Sequence, residues 1–185
     1  MPNSRIFILD DDAWVLEFLR TVVAHAIPES TVETSVSPRE ALERIGGGKH
    51  HILLSDIEMA EMDGIELTRH VLTHSRVPAV ILMTDDHTLL PQALEAGAYS
   101  CLPKPVRLDL LTNVLRRALD YNSLKRRMEN LQQILVNHAT DDYSEQVRVR
   151  THGVERRMDE MRREELAEIS SVWQRYAPTR MASQS

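Results

Sequence analysis

Four groups of polar residues in this sequence combine the side chains that phosphate chemistry needs. They are Asp10 with Asp11, Asp56, Thr84 and Lys104. Carboxylates that lie close together repel each other unless a cation intervenes, and carboxylates with water are the ligands that Mg²⁺ prefers beside a phosphate. A hydroxyl and an ammonium group would hold the other phosphate oxygens. A carboxylate beside the metal could itself take a phosphoryl group as an acyl phosphate.

Five short runs of residues predict β-strands, and four of them end directly before one of these polar groups. The runs are 6–9, 31–34, 51–55, 78–83 and 99–102. Helical spacing of apolar residues, or helix start and stop signals, predicts helices over 13–26, 38–45, 65–72 and 89–96. This alternation predicts an α/β fold whose parallel sheet is covered on both faces. Because function in such sheets lies at the carboxyl ends of the strands, the four groups are predicted to meet at one edge.

Each of these residues also has a structural explanation when it is taken alone. An aspartate after a strand is commonly a helix cap, and this is the role that we predict for Asp12. Thr84 could cap the next helix, and a Lys-Pro pair such as Lys104-Pro105 is common in surface loops. The placement of all four groups after four separate strands is what favours a functional site.

Composition excludes several classes of protein. The chain has 185 residues and one cysteine, so it cannot form an internal disulfide. Its start, MPNSRIFILD, is not a signal peptide, and no apolar stretch approaches the length of a membrane span. The net charge is −6, and residues 1–105 alone carry −8, which disfavours a nucleic-acid partner. These features predict a soluble cytoplasmic protein without a membrane or nucleic-acid partner.

Four motifs in order make the sequence recognisable. IFILDDD, LLSDIEMAEMDGIEL, VPAVILMTDD and EAGAYSCLPKP together resemble the receiver domain of bacterial two-component response regulators. The resemblance covers residues 4 to about 120. It implies a flavodoxin-like fold, a doubly wound five-stranded parallel sheet with strand order 2-1-3-4-5.

The resemblance also implies roles for the polar groups. Asp56 would accept a phosphoryl group from a sensor histidine kinase or a phosphotransfer protein. Thr84 and Lys104 would contact that group, and the bond between Lys104 and Pro105 is a candidate for the cis form. The Mg²⁺ would be held by Asp10, Asp11, Asp56 and the backbone carbonyl of Glu58, with Asp10 acting largely through water.

Four residues depart from the pattern of the family. Ala60 replaces a proline, and Pro103 lies within the fifth strand, which is tolerable because the family's strand order makes that strand an edge. Asp85 stands where a small residue is usual, and unless it points outward it should slow phosphorylation or repel the donor. Cys101 replaces an aromatic residue, which puts the usual aromatic switch in question and favours a small buried apolar residue.

The last third of the chain is predicted to be helical. Residues 106–138 read as one long helix in which Leu108, Leu111, Leu115 and Leu119 pack on the sheet. A 3-4-3-4 spacing follows, which fits either a short coiled coil or a single solvated helix with an apolar stripe. This seam consists of Tyr121, Leu124, Met128, Leu131 and Leu135.

Breaks divide the rest of the tail. They are predicted at 139–142 and at His152-Gly153, with a further helix over 154–176 that frays from Pro178 onward. Its residues 162–165, Arg-Arg-Glu-Glu, suit a solvated helix face. The predicted organisation is a receiver domain at 1–120, a helical linker or short coiled coil at 121–140, and a helical segment at 141–185 with a disordered end.

Three hypotheses follow from the sequence. The first is a response regulator, not an enzyme, that relays phosphorylation at Asp56 through its helical tail to a protein partner or to self-association as a homodimer. The second is a receiver-like interaction module that works without phosphorylation, which Asp85 and Cys101 motivate. The third is a phosphatase of the haloacid dehalogenase type, which leaves Asp56 without a role and puts Asp85-Asp86 before Lys104, in the wrong order.

Overall fold

The computed structural model of the chain describes residues 4–74, 79–137 and 141–180. Strands and helices alternate along the first part of the chain, and two long helices follow. The elements are β1 (Ser4–Leu9), α1 (Ala13–Ala26), β2 (Ser30–Ser35), α2 (Pro38–Ile45), β3 (Ile52–Asp56), α3 (Gly64–His74), β4 (Ala79–Thr84), a 3₁₀ turn (His87–Leu89), α4 (Leu90–Glu95), β5 (Ser100–Pro103), α5 (Leu108–Asn137) and α6 (Asp141–Arg180).

The five strands form one parallel sheet in the order β2-β1-β3-β4-β5. This confirms the predicted fold class and strand order. The register pairs Leu9 with Ser55, and Thr84 with Pro103. The carboxyl ends of β1, β3, β4 and β5 therefore lie at the same level of the sheet. The polar residues that end or follow these strands are therefore brought to one edge.

The core lies on both faces of the sheet. Every residue of β3 and of β4 is buried, because helices cover both faces, and this explains their continuous apolar runs. Both strands extend one residue beyond the prediction and include Asp56 and Thr84. Pairing with neighbouring strands sets these ends, and hydrophobicity alone does not reveal it.

Helix starts follow the predicted capping chemistry in part. The Asp12 carboxylate accepts a hydrogen bond from the Trp14 amide at 2.8 Å, which confirms its role as the cap of α1. Ser37 followed three residues later by Glu40 has the pattern of a capping box before α2, but the Ser37 side chain makes no capping hydrogen bond. The carboxylate of Glu40 instead accepts a hydrogen bond from the Ser35 hydroxyl.

The tail folds back as a helical hairpin. Arg117 of α5 forms ion pairs with Glu165 and Glu168 of α6. Leu110 and Asn113, nearer the start of α5, lie beside Val172 and Arg175, nearer the end of α6, so the two helices run antiparallel. The predicted break at His152-Gly153 is wrong, since α6 runs through it; one glycine costs a helix only about 1 kcal/mol. The helix also continues past Pro178 to Arg180. Among the described helices, none is long and apolar enough to cross a bilayer.

Two further predictions for the tail need correction. Leu111, Leu115 and Leu119 are buried as predicted, but Leu108 is half-exposed because it lies at the first residue of α5. The prediction that 162–165 lies on a solvated face holds for Arg163 and Glu164, which are exposed, but is wrong for Glu165, which is fully buried against α5 and β5. The described members of the predicted seam are half-buried, and α5 packs against α6 of the same chain. The side chain of Leu135 lies outside the described residues.

Two glycines give a matched test of this fold. Gly64 begins α3, and a Cβ there would overlap the carbonyl oxygen of Asp56, while a Cβ at Gly153 in α6 would meet open space. Gly64→Ala is therefore expected to lower the free energy of unfolding by about 1–3 kcal/mol, as overpacking does. Gly153→Ala is expected to raise it by about 0.5–1 kcal/mol through helix propensity. Urea denaturation of both variants measures the difference, and equal effects would contradict the packing at Gly64.

Candidate functional site

Three carboxylates meet at the carboxyl edge of the sheet. Asp10 follows β1 and Asp56 ends β3; both are buried, whereas Asp11 is exposed. One oxygen from each of the three lies within 4.8 Å of the others. One oxygen of Asp10 also accepts a hydrogen bond from the Asp12 amide at 3.0 Å, which fixes its carboxylate. The parallel register thus concentrates negative charge in one small volume.

Lys104 supplies the only positive charge that the structure places in contact with this cluster in the described part of the chain. Its ammonium lies 2.8 Å from Asp56 Oδ2 and 3.3 Å from Asp10 Oδ2. Its backbone amide donates to the Thr84 carbonyl oxygen at 2.8 Å, which ties the loop after β5 to the end of β4. The peptide bond between Lys104 and Pro105 is cis, as predicted.

Burial and charge act in opposite directions on the pKa values here. Burial raises the pKa of Asp10, although the Asp12 amide and Lys104 both favour its ionised form. Burial alone would lower the pKa of Lys104, but its hydrogen bond and attraction to Asp56 outweigh this and raise it. The ammonium therefore stays charged and offsets part of the repulsion between the carboxylates.

Thr84 lies fully buried at the end of β4, beside the cluster. Its hydroxyl accepts a hydrogen bond from the Asp86 amide at 3.0 Å and lies 3.5 Å from Glu58 Oε2. Asp86 in turn accepts from the Thr88 amide and caps the 3₁₀ turn. The hydroxyl is thus held at the site edge by the loop that leaves β4.

Acidic residues line the rim of the site. Glu58 is exposed, and partial burial followed by the nearby charge of Asp85 raises the pKa of its carboxyl. Asp85 is itself exposed and points toward Glu58 and solvent. The extra carboxylate of Asp85 therefore adds charge to the rim rather than filling the buried centre.

The cluster suits a divalent cation. Asp56 Oδ1 is buried and has no hydrogen-bond partner among the described residues, although an isolated carboxylate oxygen is costly to bury. The other Asp56 oxygen faces Lys104. Three carboxylates around one unpartnered oxygen form the oxygen-rich donor set that Mg²⁺ prefers.

The structure brings together the side chains of Asp10, Asp11, Asp56 and Lys104, with Thr84 joined to the group through its backbone. Sequence reasoning did not find the side chains of α6 that lie on β5. These are Arg162, Glu165 and Trp173. In the sequence, Trp173 follows Ile169 by four residues, a helical spacing that indicates an apolar face; Arg162 and Glu165 carry no comparable signal.

Comparison with known proteins gives one consistent answer. The model of the response regulator receiver domain family matches residues 6–116. The regulatory protein AtoC of Escherichia coli is 34% identical over 134 residues, which are 71% of this chain and 29% of AtoC. A protein-glutamate methylesterase/protein-glutamine glutaminase of Rhodopseudomonas palustris is 36% identical over 104 residues, 55% of this chain and 29% of that protein. The chain thus spans less than a third of the length of these two relatives.

A solved structure agrees with the fold. The signal receiver domain of an HD domain-containing protein from Pseudomonas fluorescens has a TM-score of 0.63 at 23% identity. The alignment covers 69% of this chain and 94% of that domain. The likeness therefore lies in the sheet and its helices.

The exposed acid of the cluster allows a matched test of cation binding. Asp11→Asn is expected to weaken Mg²⁺ binding by roughly tenfold or more, because a neutral amide replaces a charged carboxylate ligand. Without Mg²⁺ its stability should be unchanged or higher, since a repulsive charge is lost. Asp12→Asn keeps the cap of α1 and should leave Mg²⁺ binding intact. Thermal unfolding with and without Mg²⁺ measures both, and equal Mg²⁺ responses of the two variants would contradict the assignment.

Proposed function

The chain belongs to the response regulator receiver domain family, and on that basis we propose that it is a phosphorylation-switched signalling protein. Asp56 accepts a phosphoryl group from the phosphohistidine of a histidine kinase or a phosphotransfer protein. The observation that carries this is the buried, unpartnered Asp56 Oδ1 amid two further carboxylates, with Lys104 on the other oxygen. Asp56 Oδ1 is the nucleophile.

The transfer makes one bond and breaks another. Asp56 Oδ1 attacks phosphorus, the bond between phosphorus and the donor's imidazole nitrogen breaks, and the imidazole leaves with the electron pair. The ammonium of Lys104 turns from the Asp56 carboxylate to the phosphoryl oxygens, and the Thr84 hydroxyl covers another oxygen. Mg²⁺, when bound by Asp10, Asp11, Asp56 and the Glu58 carbonyl, would offset the charge that gathers on these oxygens.

The relay of the signal passes through the tail. Lys104 lies directly after β5, and α6 packs on β5 and on the 3₁₀ turn that follows Thr84. A change at Lys104 or Thr84 thus reaches α6 through a single strand or a single turn. The output is binding of a protein partner or self-association, with neither nucleic acid nor membrane involved. The chain acts as a phosphoacceptor and has no substrate of its own to turn over.

The two alternative functions fit the geometry less well. A module that ignores phosphorylation was suggested by Asp85 and Cys101, but Asp85 lies on the exposed rim, outside the buried cluster. A phosphatase of the haloacid dehalogenase type gives Asp56 no role, and Asp56 is central to the cluster. Both observations favour the phosphoacceptor.

Mass spectrometry tests this function directly. Incubation with Mg²⁺ and phosphoramidate should add one phosphoryl group to the wild-type chain and none to Asp56→Asn. Asp63→Asn is the matched control, because Asp63 caps α3 through the amides of Ile65 and Glu66 and an asparagine caps as well. Its adduct should equal that of the wild type. An adduct that persists in Asp56→Asn would contradict the proposal.

A further inference from the structure

Helix α6 covers the open edge of the sheet. Because β5 is an edge strand, its outward backbone groups lack a neighbouring strand. The guanidinium of Arg162 donates hydrogen bonds to the carbonyl oxygens of Ala98 and Tyr99. The indole N–H of Trp173 donates to the Cys101 carbonyl oxygen at 2.8 Å. Two α6 side chains thus take up three backbone carbonyls along this edge.

An apolar stripe and a cation–π contact also hold α6 in place. The buried apolar residues of α6 recur at helical spacing and are Val154, Met158, Met161, Ile169, Val172 and Trp173. Arg162 also stacks its guanidinium over the Tyr99 ring, 5.3 Å from the ring centroid. The surface under α6 therefore binds an amphipathic helix that carries an arginine and a tryptophan at the positions of Arg162 and Trp173.

The centre of the contact between α6 and the domain holds a buried carboxylate with incomplete hydrogen bonding. Glu165 is fully buried, and although the Ser100 hydroxyl lies near its carboxylate, neither oxygen makes a hydrogen bond of good geometry among the described residues. Arg117 Nε lies 2.9 Å away without hydrogen-bond geometry. A buried charge with incomplete partners opposes docking. The α6 interface thus combines specific anchors with a buried carboxylate that lowers its stability.

The anchors of α6 lie close to the phosphoryl site. Cys101, which Trp173 holds, precedes Lys104 by three residues, and Leu82 opposite it precedes Thr84 by two. The ammonium of Lys104 lies 2.8 Å from Asp56 Oδ2. A phosphoryl group on Oδ1 brings further anionic oxygens to the same site, and the ammonium must turn toward them. Lys104 directly follows β5, so this turn pulls on the carboxyl end of the strand.

We propose that the β5 edge is a helix-docking surface that holds α6 only while Asp56 is unphosphorylated. Phosphorylation releases α6, because the shift of β5 misaligns the directional bonds to Arg162 and Trp173. The released α6 face and the uncovered β5 edge are then the surfaces available for output. This inference rests on the proposed function and identifies the element that carries its signal.

Trp173 is the natural reporter of this release. The chain has two tryptophans, and Trp14 is 86% exposed, so Trp14→Phe leaves Trp173 as a single buried probe without disturbing the core. Mg²⁺ with beryllofluoride serves as a stand-in for the phosphoryl group, and its binding is followed separately by fluorine NMR. We expect a red shift of the emission and a rise of acrylamide quenching toward the values of the unfolded chain.

The two measurements separate the two proposals. Beryllofluoride that binds while Trp173 emission and quenching stay unchanged would overturn the release of α6 and leave the proposed function standing. Beryllofluoride that does not bind would overturn the proposed function, and the release with it. Binding together with exposure of Trp173 supports both.

The affinity for beryllofluoride in variants of the α6 anchors tests the same coupling in the opposite direction. If phosphorylation weakens docking, weaker docking must strengthen beryllofluoride binding by the same factor. Arg162→Ala should therefore lower the beryllofluoride Kd about fivefold or more. Arg163→Ala, at the adjacent exposed residue, should not change it. If Arg162→Ala impairs folding, Trp173→Phe removes one hydrogen bond and keeps the ring. Unchanged affinity in the folded anchor variants would overturn the coupling.

Discussion

Repulsion between carboxylates at one edge of the sheet is the constraint on which the rest of the molecule depends. Asp10 and Asp56 are both buried, and Lys104 contacts both of them. The two acids come from β1 and β3, whereas the lysine follows β5. The paired strands β3, β4 and β5 must therefore be in place for the Lys104 ammonium to reach the carboxylates of Asp10 and Asp56. Addition of a cation or of a phosphoryl group changes that balance directly.

β5 serves the site and the tail at once. Lys104 directly follows its carboxyl end, while the carbonyl of Cys101 in the strand and that of Tyr99 just before it receive the anchors of α6. The strand has only four residues, and just three positions separate Cys101, which Trp173 contacts, from Lys104 at the site. In a longer or centrally placed strand, further ladder bonds would hold the backbone against movement at one end. β5 pairs with a strand on one side only, so only β4 and the side chains of α6 hold its backbone.

The sequence predicted the sheet well, because strands buried on both faces carry continuous apolar runs. It predicted the cluster of Asp10, Asp56 and Lys104 because parallel strands end at one edge. It failed where a distant partner decides the outcome. Arg162 looked solvated in the sequence, but its partner is the Tyr99 carbonyl, 63 residues away and invisible as a side-chain pattern. Cys101 was correctly read as a small buried residue; burial raises the pKa of its thiol to about 12.

Covering an edge strand also has consequences for the released state. An uncovered β5 would offer unpaired carbonyls to any extended segment, and a freed α6 would expose Ile169 and Trp173 to water. Both surfaces are unfavourable when they are left open, so release without a partner is opposed by the hydrophobic effect. Phosphorylation therefore has to weaken the anchors of α6 by more than this cost, and a binding partner that covers the two surfaces shifts the equilibrium further toward release. A buried carboxylate with incomplete partners, such as that of Glu165, makes the docked state less stable than a fully satisfied contact would be.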